Sequence, residues 1–583
     1  MLILVLLVSA IAVLAIFGAG VLPGPASLAA ILLCCGWVLY AAGKRTSACP
    51  KLLVVSTTGL VILLCLTAIP LPRFLDRVGG SSRANQNELV KQALDKAADF
   101  QFVERSSQDF AATRNRAGTM RMILLVVSGI AAAALSSYLP RGQKETYLKS
   151  VVFVVLLVAI AGYVSQRVIP QGKSIWWFMD TPHGRPVGCF INRNHFGGFV
   201  AMLCPAAGVL FADSLGRRRF VSALTWGVAS LLMGVVTIMS LSRGAWLAYA
   251  ASMLAVTLLL FSRRKVVTGA GMVLLLAGVL WGVTRLSNEE LDSRVESMAN
   301  IHESESAVMR LSTWADSLKI MPQYPFIGTG ANGFRMVFPQ YRTAATRKSF
   351  TNAENEYVQI PVEFGLIGVG ILLVLGTSLV WTWLTNRNAA APNRVIELSV
   401  AGAVAAVLVH SSLDFALRVP LYFITFTSLL GLVISPDQEK PCVSGPGGIS
   451  RITLPVAGLL LTIIVFACGK PVYDLDSSDF IETAKAPELG RALVWGPTSW
   501  QAWYHLGTAA SSVSADDETL RFGEQCITQA TAYDPNNRRI WETLARVRLR
   551  RNDVEGAQAA YLRFRHLGGW AGIPELDSLK ANP

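Results

Sequence analysis

The sequence predicts an all-α fold: a polytopic transmembrane helical bundle of about 12–13 spans, followed by a small soluble α-helical domain. The 583-residue chain is 52% hydrophobic and only 15% charged, whereas a soluble protein of this length carries more charge. Apolar segments of spanning length alternate with short polar loops. The unusual polar clusters fall in loops on one predicted side of the membrane, which favours a site assembled at a membrane surface.

Thirteen segments are apolar and long enough to be candidate spans. They cover residues 2–20, 25–42, 52–69, 120–138, 150–166, 197–212, 221–240, 245–261, 267–284, 360–384, 396–412, 419–435 and 453–469. The first segment starts at Met1 without a basic region, and further spans follow it. We therefore expect a retained helix rather than a cleaved signal.

Basic residues predict the orientation of these helices. Every even-numbered loop is short and basic, as at Arg217–Arg219 and Arg263–Lys265. The positive-inside rule then places these loops and the N-terminus in the cytoplasm and the C-terminus outside. This asymmetry explains much of the formal net charge of +14, so nucleic-acid binding is a poor explanation of that charge. The nine cysteines show neither metal-ligand spacing nor a disulfide framework.

The chain divides into two predicted domains. Residues 1–469 form a polytopic membrane domain with external loops at 70–119 and 285–359, and residues 470–583 form a soluble tail. Within the tail, Trp503-x-x-Leu506-Gly507 is echoed 38 residues later by Trp541-x-x-Leu544-Ala545. This pattern resembles tetratricopeptide repeats, whose ideal period is about 34 residues. The alternative is a generic small helical domain, and either one favours contact with a protein partner.

An amide-rich cluster enters the span at 197–212 from the outside. Asn192, Asn194 and His195 flank Arg193, and such groups can hold a phosphate or a sugar through charge-assisted hydrogen bonds. The alternative for Asn194 and His195 is capping of the helix. Trp176–Phe178 precede the cluster and fit either a membrane-interface belt or a sugar-stacking platform.

Arg243 occupies a very tight external turn, Ser242-Arg243-Gly244, between two spans. An arginine near the membrane surface is costly unless it is paired or functional. A lipid diphosphate is a natural partner, because the guanidinium fork matches phosphate oxygens. The alternative is snorkelling of the side chain towards water.

The long external loop carries three further signals. It contains Arg310-x-x-x-Trp314, and then a glycine-rich stretch at 325–334 that is too loose for a phosphate-binding loop and predicts a tight turn between helices. Near its end lies Asn352-Ala353-Glu354-Asn355-Glu356-Tyr357. Its two carboxylates can supply a general base, and the alternative is capping of the next helix by an asparagine, with acids in its first turn.

His410 and Asp414 end the span at 396–412. Because they are four residues apart, we expect them to share one helix face. They then form either a buried pair that orients neighbouring loops or a proton relay.

Taken in order, these motifs resemble the O-antigen ligase and polymerase family of membrane glycosyltransferases. The motifs are Asn-x-Asn-His-Phe, Ser-Arg-Gly, Arg-x-x-x-Trp, Pro-x-x-Gly-Thr-Gly, Ala-Glu-Asn-Glu-Tyr, Glu-x-Gly-Leu-Ile-Gly and His-Ser-x-x-Asp-Phe. Together they cover residues 190 to about 435. No motif is specific alone, whereas their order and topology together are.

The resemblance implies an enzyme of cell-surface polysaccharide assembly, such as that of lipopolysaccharide, in the bacterial inner membrane. It implies transfer of a glycan from an undecaprenyl-diphosphate carrier to an acceptor on the outer face, with no metal and no cofactor. Arg243 and Arg310 match the arginines thought to hold the diphosphate. We expect Asn192, Asn194, His195, Asn355, Tyr357, His410 and Asp414 to contribute to substrate binding.

One departure from the family concerns the base. Many members have a histidine where this chain has Asn352, or two positions on at Glu354. We therefore expect Glu354 to be the base, with His195 and His302 as substitutes. A chain that binds its lipid carrier but has changed or lost catalysis is the alternative.

The leading hypothesis is thus a membrane glycosyltransferase that acts on a polyprenyl-diphosphate-linked glycan and a lipid or protein acceptor. Within this class, a repeat-unit polymerase and a protein O-oligosaccharyltransferase are alternatives. A transporter of lipid-linked glycans predicts ionisable residues deep in several spans and internally repeated halves, and neither is evident. A scaffold built around the tail leaves the arginine turn unexplained.

Overall fold

The computed structural model confirms an all-α polytopic bundle. It describes residues 2–16, 51–68, 81–100, 102, 111–168, 174–175, 179–180, 187–261, 277–279, 281, 285, 305–343, 350–389, 393–434, 485–512, 515–569 and 573–579. The candidate spans at 25–42 and 453–469, most of the one at 267–284, Trp176–Phe178, His302 and the domain boundary at 469 lie outside these residues.

The membrane bundle contains ten apolar helices in the described part of the chain. They are α1 (Leu2–Ile16), α2 (Lys51–Ala68), α4 (Arg116–Ser137), α5 (Arg141–Val168), α6 (Arg193–Gly216), α7 (Phe220–Met239), α8 (Arg243–Phe261), α11 (Glu356–Ala389), α12 (Arg394–Ser411) and α13 (Pro420–Ile434). Seven of these, all except α1, α2 and α13, meet both the length and the hydropathy of a membrane span. The chain is therefore a multi-pass membrane protein.

Extramembrane segments add the remaining described elements. These are α3 (Ser81–Asp99), a short antiparallel pair β1 (Ser174–Ile175) and β2 (Met179–Asp180), α9 (Glu305–Leu318), α10 (Phe334–Tyr341), α14 (Ala486–Trp495), α15 (Trp500–Ala510), α16 (Asp517–Tyr533), α17 (Arg538–Arg550), α18 (Val554–His566) and α19 (Pro574–Leu579). Short 3-10 turns occupy Met321–Gln323 and Ala416–Arg418.

Helix α6 is the central helix of the bundle, and α11 lies at its edge. Of the apolar window of α6, 83% is buried, against 22% for α11. Gly198 on α6 packs so closely on α12 that a Cβ there would overlap the His410 ring. Small residues let helices approach in this way when lipid supplies no hydrophobic drive for packing.

Helix α11 is broken near its start. Gly365 has φ 61° and ψ −168°, a conformation open only to glycine. The glycine-rich turn fills the break, because Thr329 N donates to Val362 O and Leu366 N donates to Pro325 O, both at 2.9 Å. Backbone groups freed by the break are thereby satisfied, as a membrane location requires. The stretch predicted as a tight turn is one, and it also docks into this helix.

The tail consists of antiparallel helical hairpins that repeat with the 38-residue offset. The Trp503 indole donates to Pro497 O at 3.0 Å, and the Trp541 indole donates to Pro535 O at 2.9 Å. The described structure thus contains the internal echo, and the assignment to tetratricopeptide repeats stays a prediction.

The tail is packed against the other extramembrane segments. Phe100, just beyond α3, contacts Phe522 of α16 with ring centroids 5.5 Å apart, and the two helices share one apolar cluster. Arg342, which caps α10, donates to Asp534 at 3.1 Å, and this pair is almost fully buried. The loops and the tail therefore form one unit over the membrane helices.

Candidate functional site

The candidate site lies where α6, α8 and α11 begin and α7 and α12 end, and we call this end of the bundle the site face. Among its described residues, Arg310 and Glu354 form a partly exposed charged pair. The Arg310 Nε donates to the Glu354 Oε2 at 2.7 Å, with side chains 29% and 36% exposed. Two residues predicted from separate motifs therefore meet in one contact that substrates can reach.

Helix α9 holds the segment before α11 with two side chains one turn apart. While Arg310 binds Glu354, the Trp314 indole donates to the backbone carbonyl of Ala353 at 2.9 Å. Residues at i and i+4 lie on one helix face. The Arg-x-x-x-Trp spacing therefore lets α9 bind two consecutive residues, Ala353 and Glu354.

Glu354 itself has left-handed backbone geometry, with φ 53°. Non-glycine residues rarely adopt this conformation, and it persists only where the surroundings fix it. Gln359 supplies part of that support. Its Oε1 accepts from Ala353 N at 2.9 Å, and its Nε2 donates to Asn352 Oδ1 at 3.0 Å.

Arg418 is the centre of a buried ion network beside this segment. Its guanidinium forms two 3.2 Å hydrogen bonds with the carboxylate of Glu356, one 2.8 Å bond with Glu363 and one 3.0 Å bond with the side-chain oxygen of Asn332. Burial acts to lower the pKa of Arg418, but Glu356 and Glu363 outweigh it and raise that pKa above its ordinary value. The guanidinium therefore stays charged.

Glu363 is fully buried, and both of its carboxylate oxygens accept hydrogen bonds. Besides Arg418, it accepts from the Gln359 amide at 2.9 Å and from the backbone N–H groups of Asn332 and Phe334 at 3.0 and 3.3 Å. A buried charge is tolerated only when it is paired and hydrogen-bonded in this way. This residue joins the break in α11 to the glycine-rich turn.

A second buried cluster joins α6 to the end of α12. His195 Nε2 lies 3.2 Å from Asp414 Oδ1, and His410 Nε2 lies 3.7 Å from Asp414 Oδ2. The expectation that His410 and Asp414 share a helix face is wrong, because α12 ends at Ser411 and Asp414 follows in the connection. Burial acts to raise the pKa of Asp414, but the two imidazoles outweigh it and hold that pKa at about 2.

Arg243 is the first residue of α8 at the site face, so it follows the tight turn instead of lying within it as predicted. Ser242 immediately precedes that helix, and its hydroxyl accepts from Ala245 N at 3.3 Å. A Cβ at Gly244 would lie 3.4 Å from Leu413 and 3.7 Å from the His410 ring. The first turn of α8 is therefore adjacent to the histidine cluster.

Two predicted asparagines cap helices. Asn192 caps α6 by accepting from Asn194 N at 2.8 Å, so the capping residue is Asn192 rather than Asn194 or His195. Asn355 accepts from Tyr357 N at 2.9 Å at the start of α11. The half-exposed Tyr357 donates its hydroxyl to the carbonyl of Leu408 at 2.9 Å, and so links α11 to α12.

Several residues of the network were not among the predicted site residues, and they include Gln359, Glu363 and Arg418. A signal was present, because ionisable residues at the ends of membrane helices are costly unless paired or functional. Glu363 and Arg418 both meet that description. Their pairing was not predictable, since 55 residues separate them.

Comparison with known proteins shows what part of the membrane domain is similar to. Residues 228–373 match the family model described as O-antigen ligase, a segment that includes Arg243, Arg310 and Glu354. The chain is also 22% identical over 294 residues to the general O-oligosaccharyltransferase of Acinetobacter baylyi (strain ATCC 33305 / BD413 / ADP1). That match covers 48% of this chain and 49% of that protein, so the chain spans about half of its length. The resemblance to an O-antigen ligase-like family is confirmed.

Proposed function

We propose that this O-antigen ligase-like membrane protein is a glycosyltransferase that uses a polyprenyl-diphosphate-linked glycan as donor. An acceptor hydroxyl attacks the anomeric carbon of the glycan, the bond from that carbon to the diphosphate oxygen breaks, and the proton passes to a base. The observation that carries the proposal is the half-exposed Arg310–Glu354 pair, which puts an anion-binding group beside a carboxylate.

In this proposal the arginines act on the leaving group. Charge develops on the diphosphate as its bond to the sugar breaks, and a positioned guanidinium stabilises that charge more than it does the ground state. Arg310 can do so because a guanidinium has five N–H donors and Glu354 accepts from its Nε. Arg243 adds a second cation at the N-terminus of α8, where the helix dipole also favours an anion.

Glu354 is the proposed base, and the donor would release it. Diphosphate oxygens compete with the carboxylate for Arg310, so donor binding frees Glu354 for the acceptor's proton. His195 is a weaker candidate, because it is 8% exposed and faces Asp414. Glu354, with 36% of its side chain exposed, is open to an incoming acceptor.

The proposed location is the bacterial inner membrane, with the N-terminus in the cytoplasm and the site face and tail outside. The charge distribution supports this orientation, since Arg217–Arg219 and Arg394 lie at the opposite end of the bundle from Arg243 and Glu356. A donor carried by a membrane lipid would approach between helices at the site face, while its glycan stays in water.

Transfer of the glycan to a protein is the second candidate function. It is favoured by the similarity to a general O-oligosaccharyltransferase and by a helical tail of the kind that binds proteins. A repeat-unit polymerase uses the same donor chemistry and differs only in the acceptor. The acceptor therefore separates these alternatives, whereas the donor does not.

The test is transfer by the purified full chain in lipid vesicles. The donor is an oligosaccharide linked to polyprenyl diphosphate, and three reactions contain a lipid-linked core glycan, a second lipid-linked repeat unit or a serine-containing protein. We expect a glycosylated product with one acceptor class, and much less product from a polyprenyl-monophosphate donor. If no acceptor gave a product and the intact donor moved between leaflets, the protein would be a transporter and the proposed enzyme function would be wrong.

A further inference from the structure

We propose that Arg418 is a positioning residue that fixes Glu354 through a relay of hydrogen bonds along α11. This inference rests on the proposed function, because it concerns the geometry of the proposed base. Arg418 lies 64 positions after Glu354 in the sequence, in the connection between α12 and α13.

The first link joins Arg418 to two turns of α11. Glu356 and Glu363 are seven residues apart and so lie on the same helix face. Arg418 donates to both carboxylate oxygens of Glu356, and it donates one 2.8 Å hydrogen bond to Glu363. A planar guanidinium can make such fork-shaped contacts, whereas a lysine ammonium is a point charge.

The second link passes from Glu363 to Gln359. The Gln359 amide donates to Glu363 at 2.9 Å, and its oxygen accepts from Ala353 N at 2.9 Å. Both ends of one amide are therefore used, which leaves little freedom for the side chain to rotate. Gln359 is fully buried, so water does not compete for these bonds.

The third link ends at the base. Ala353 immediately precedes Glu354, and its carbonyl is held from the other side by the Trp314 indole. The N–H of Ala353 donates to Gln359 and its carbonyl accepts from Trp314, so the backbone is held on both sides of this residue. The left-handed conformation of Glu354 is held next to that clamp, as rare backbone conformations require.

The same connection also carries Asp414, the partner of His195. Residues 412–419 therefore hold both α6 and α11, one through Asp414 and the other through Arg418. Packing alone does not require this arrangement, since well-packed apolar side chains usually replace a buried ion pair without loss of stability. A role in placing Glu354 gives the charged network a function.

Two substitutions test the relay at different links. Arg418→Lys keeps the positive charge and loses the fork-shaped guanidinium. Gln359→Leu removes the amide and leaves Arg418, Glu356 and Glu363 in place. Arg548→Lys is the matched control, because Arg548 also binds a carboxylate, Glu524, at 2.8 Å, but lies in the tail. The measurements are kcat and donor KM for glycan transfer, and hydrogen exchange of the Ala353 amide.

We expect both test variants to lower kcat by about 10- to 100-fold, as displacement of a reacting group by about 1 Å can do. Donor KM should stay close to that of the wild type, and the Ala353 amide should exchange faster. Arg548→Lys should change neither quantity. Gln359→Leu also keeps the test decisive if Arg418→Lys fails to fold.

Unchanged kcat in both folded variants would overturn the positioning role, even if Ala353 exchanged faster. Unchanged exchange in both would show that the relay does not hold this segment. A wild-type chain that transfers no glycan would overturn the proposed function instead. That outcome is distinguishable, because the exchange differences between the variants and the control would remain.

Discussion

Arg310 on α9 and Glu354 just before α11 are joined by a 2.7 Å ion pair at the site face. The guanidinium proposed to bind the diphosphate and the carboxylate proposed to accept the hydroxyl proton are thus hydrogen-bonded to each other. Under the proposed function, the pair would let a chain without the family's loop histidine at Asn352 or Glu354 place a base beside an anion-binding group.

Replacing the proposed base, Glu354, should slow the chemical step without weakening donor binding. In Glu354→Gln, kcat should fall by about 10²- to 10⁴-fold, the usual contribution of general-base catalysis. Donor KM should not rise, because an amide competes with the diphosphate for Arg310 less strongly than a carboxylate does. Steady-state transfer in vesicles at varied donor concentration measures both quantities. Glu397→Gln, in the first turn of α12 at the opposite end of the bundle, is the control. Wild-type kcat in Glu354→Gln would exclude this residue as the base.

Asp414 should make the fold sensitive to acid. Its pKa of about 2 lies below the ordinary value of 3.8, so the ionised form stabilises the folded state above pH 4. That contribution, about 2 kcal/mol, should be lost as the pH falls from 4 to 2. Thermal unfolding between pH 2 and 7 should show this loss in the wild type and a weaker one in Asp414→Asn. The control Asp213→Asn, in a more exposed pair with Arg217, should follow the wild type. Identical pH profiles for wild type and Asp414→Asn would contradict the assignment.

The break in α11 should tolerate no side chain. A Cβ at Gly365 would overlap the backbone of Phe326 and Gly328, and its positive φ adds strain. We expect Gly365→Ala to destabilise the protein by several kcal/mol, about the cost of overpacking plus backbone strain. Gly376→Ala in the same helix meets nothing within 4 Å and should be neutral or stabilising by up to about 1 kcal/mol. The yield and melting temperature of the two variants are measured in detergent. Equal values for Gly365→Ala and Gly376→Ala would argue against docking of the glycine-rich turn into the break in α11.

The contact between the tail and the loop should depend on pH once Arg342 is removed. Arg342→Ala leaves Asp534 buried without this partner, which costs about 3–5 kcal/mol. Burial already raises the pKa of Asp534, and Arg342 opposes that shift. Without Arg342 the pKa rises further, so the neutral acid restores part of the lost stability as the pH falls. Limited proteolysis of the variant should release the tail faster at pH 8 than at pH 5. Asp534→Asn should release the tail at the same rate at both pH values. If Arg342→Ala also released it equally fast at pH 8 and pH 5, the proposed effect of Asp534 protonation on this contact would be refuted.

Much of the bundle could be predicted from the sequence, because bilayer thickness dictates the length of each apolar segment. The helices from 116 to 261 and from 356 to 434 overlap the predicted spans, although α5 begins at Arg141 instead of at the predicted residue 150. The break in α11 was not predictable, since a glycine in an apolar helix is common and its φ depends on the turn docked against it.

Several residues of the candidate site were selected individually from the sequence, whereas their long-range contacts were not predictable. Arg310, Glu354, His195 and Asp414 were each selected from a local motif, but their pairings join positions far apart in the chain. Arg418 was missed as a site residue because its partners lie 55 and 62 residues away. Periodicity within one helix cannot show such links.

The most direct test of the account is glycan transfer by Arg310→Ala and Arg243→Ala, measured in vesicles with a polyprenyl-diphosphate donor. Removing one charge that stabilises a leaving group should lower kcat by about 10²- to 10³-fold. The control is Arg217→Ala, which removes an exposed ion pair with Asp213 from the opposite end of the bundle and should retain wild-type transfer. Undiminished transfer by both site variants, at equal expression and folding, would contradict the claim that this face binds a lipid diphosphate for catalysis.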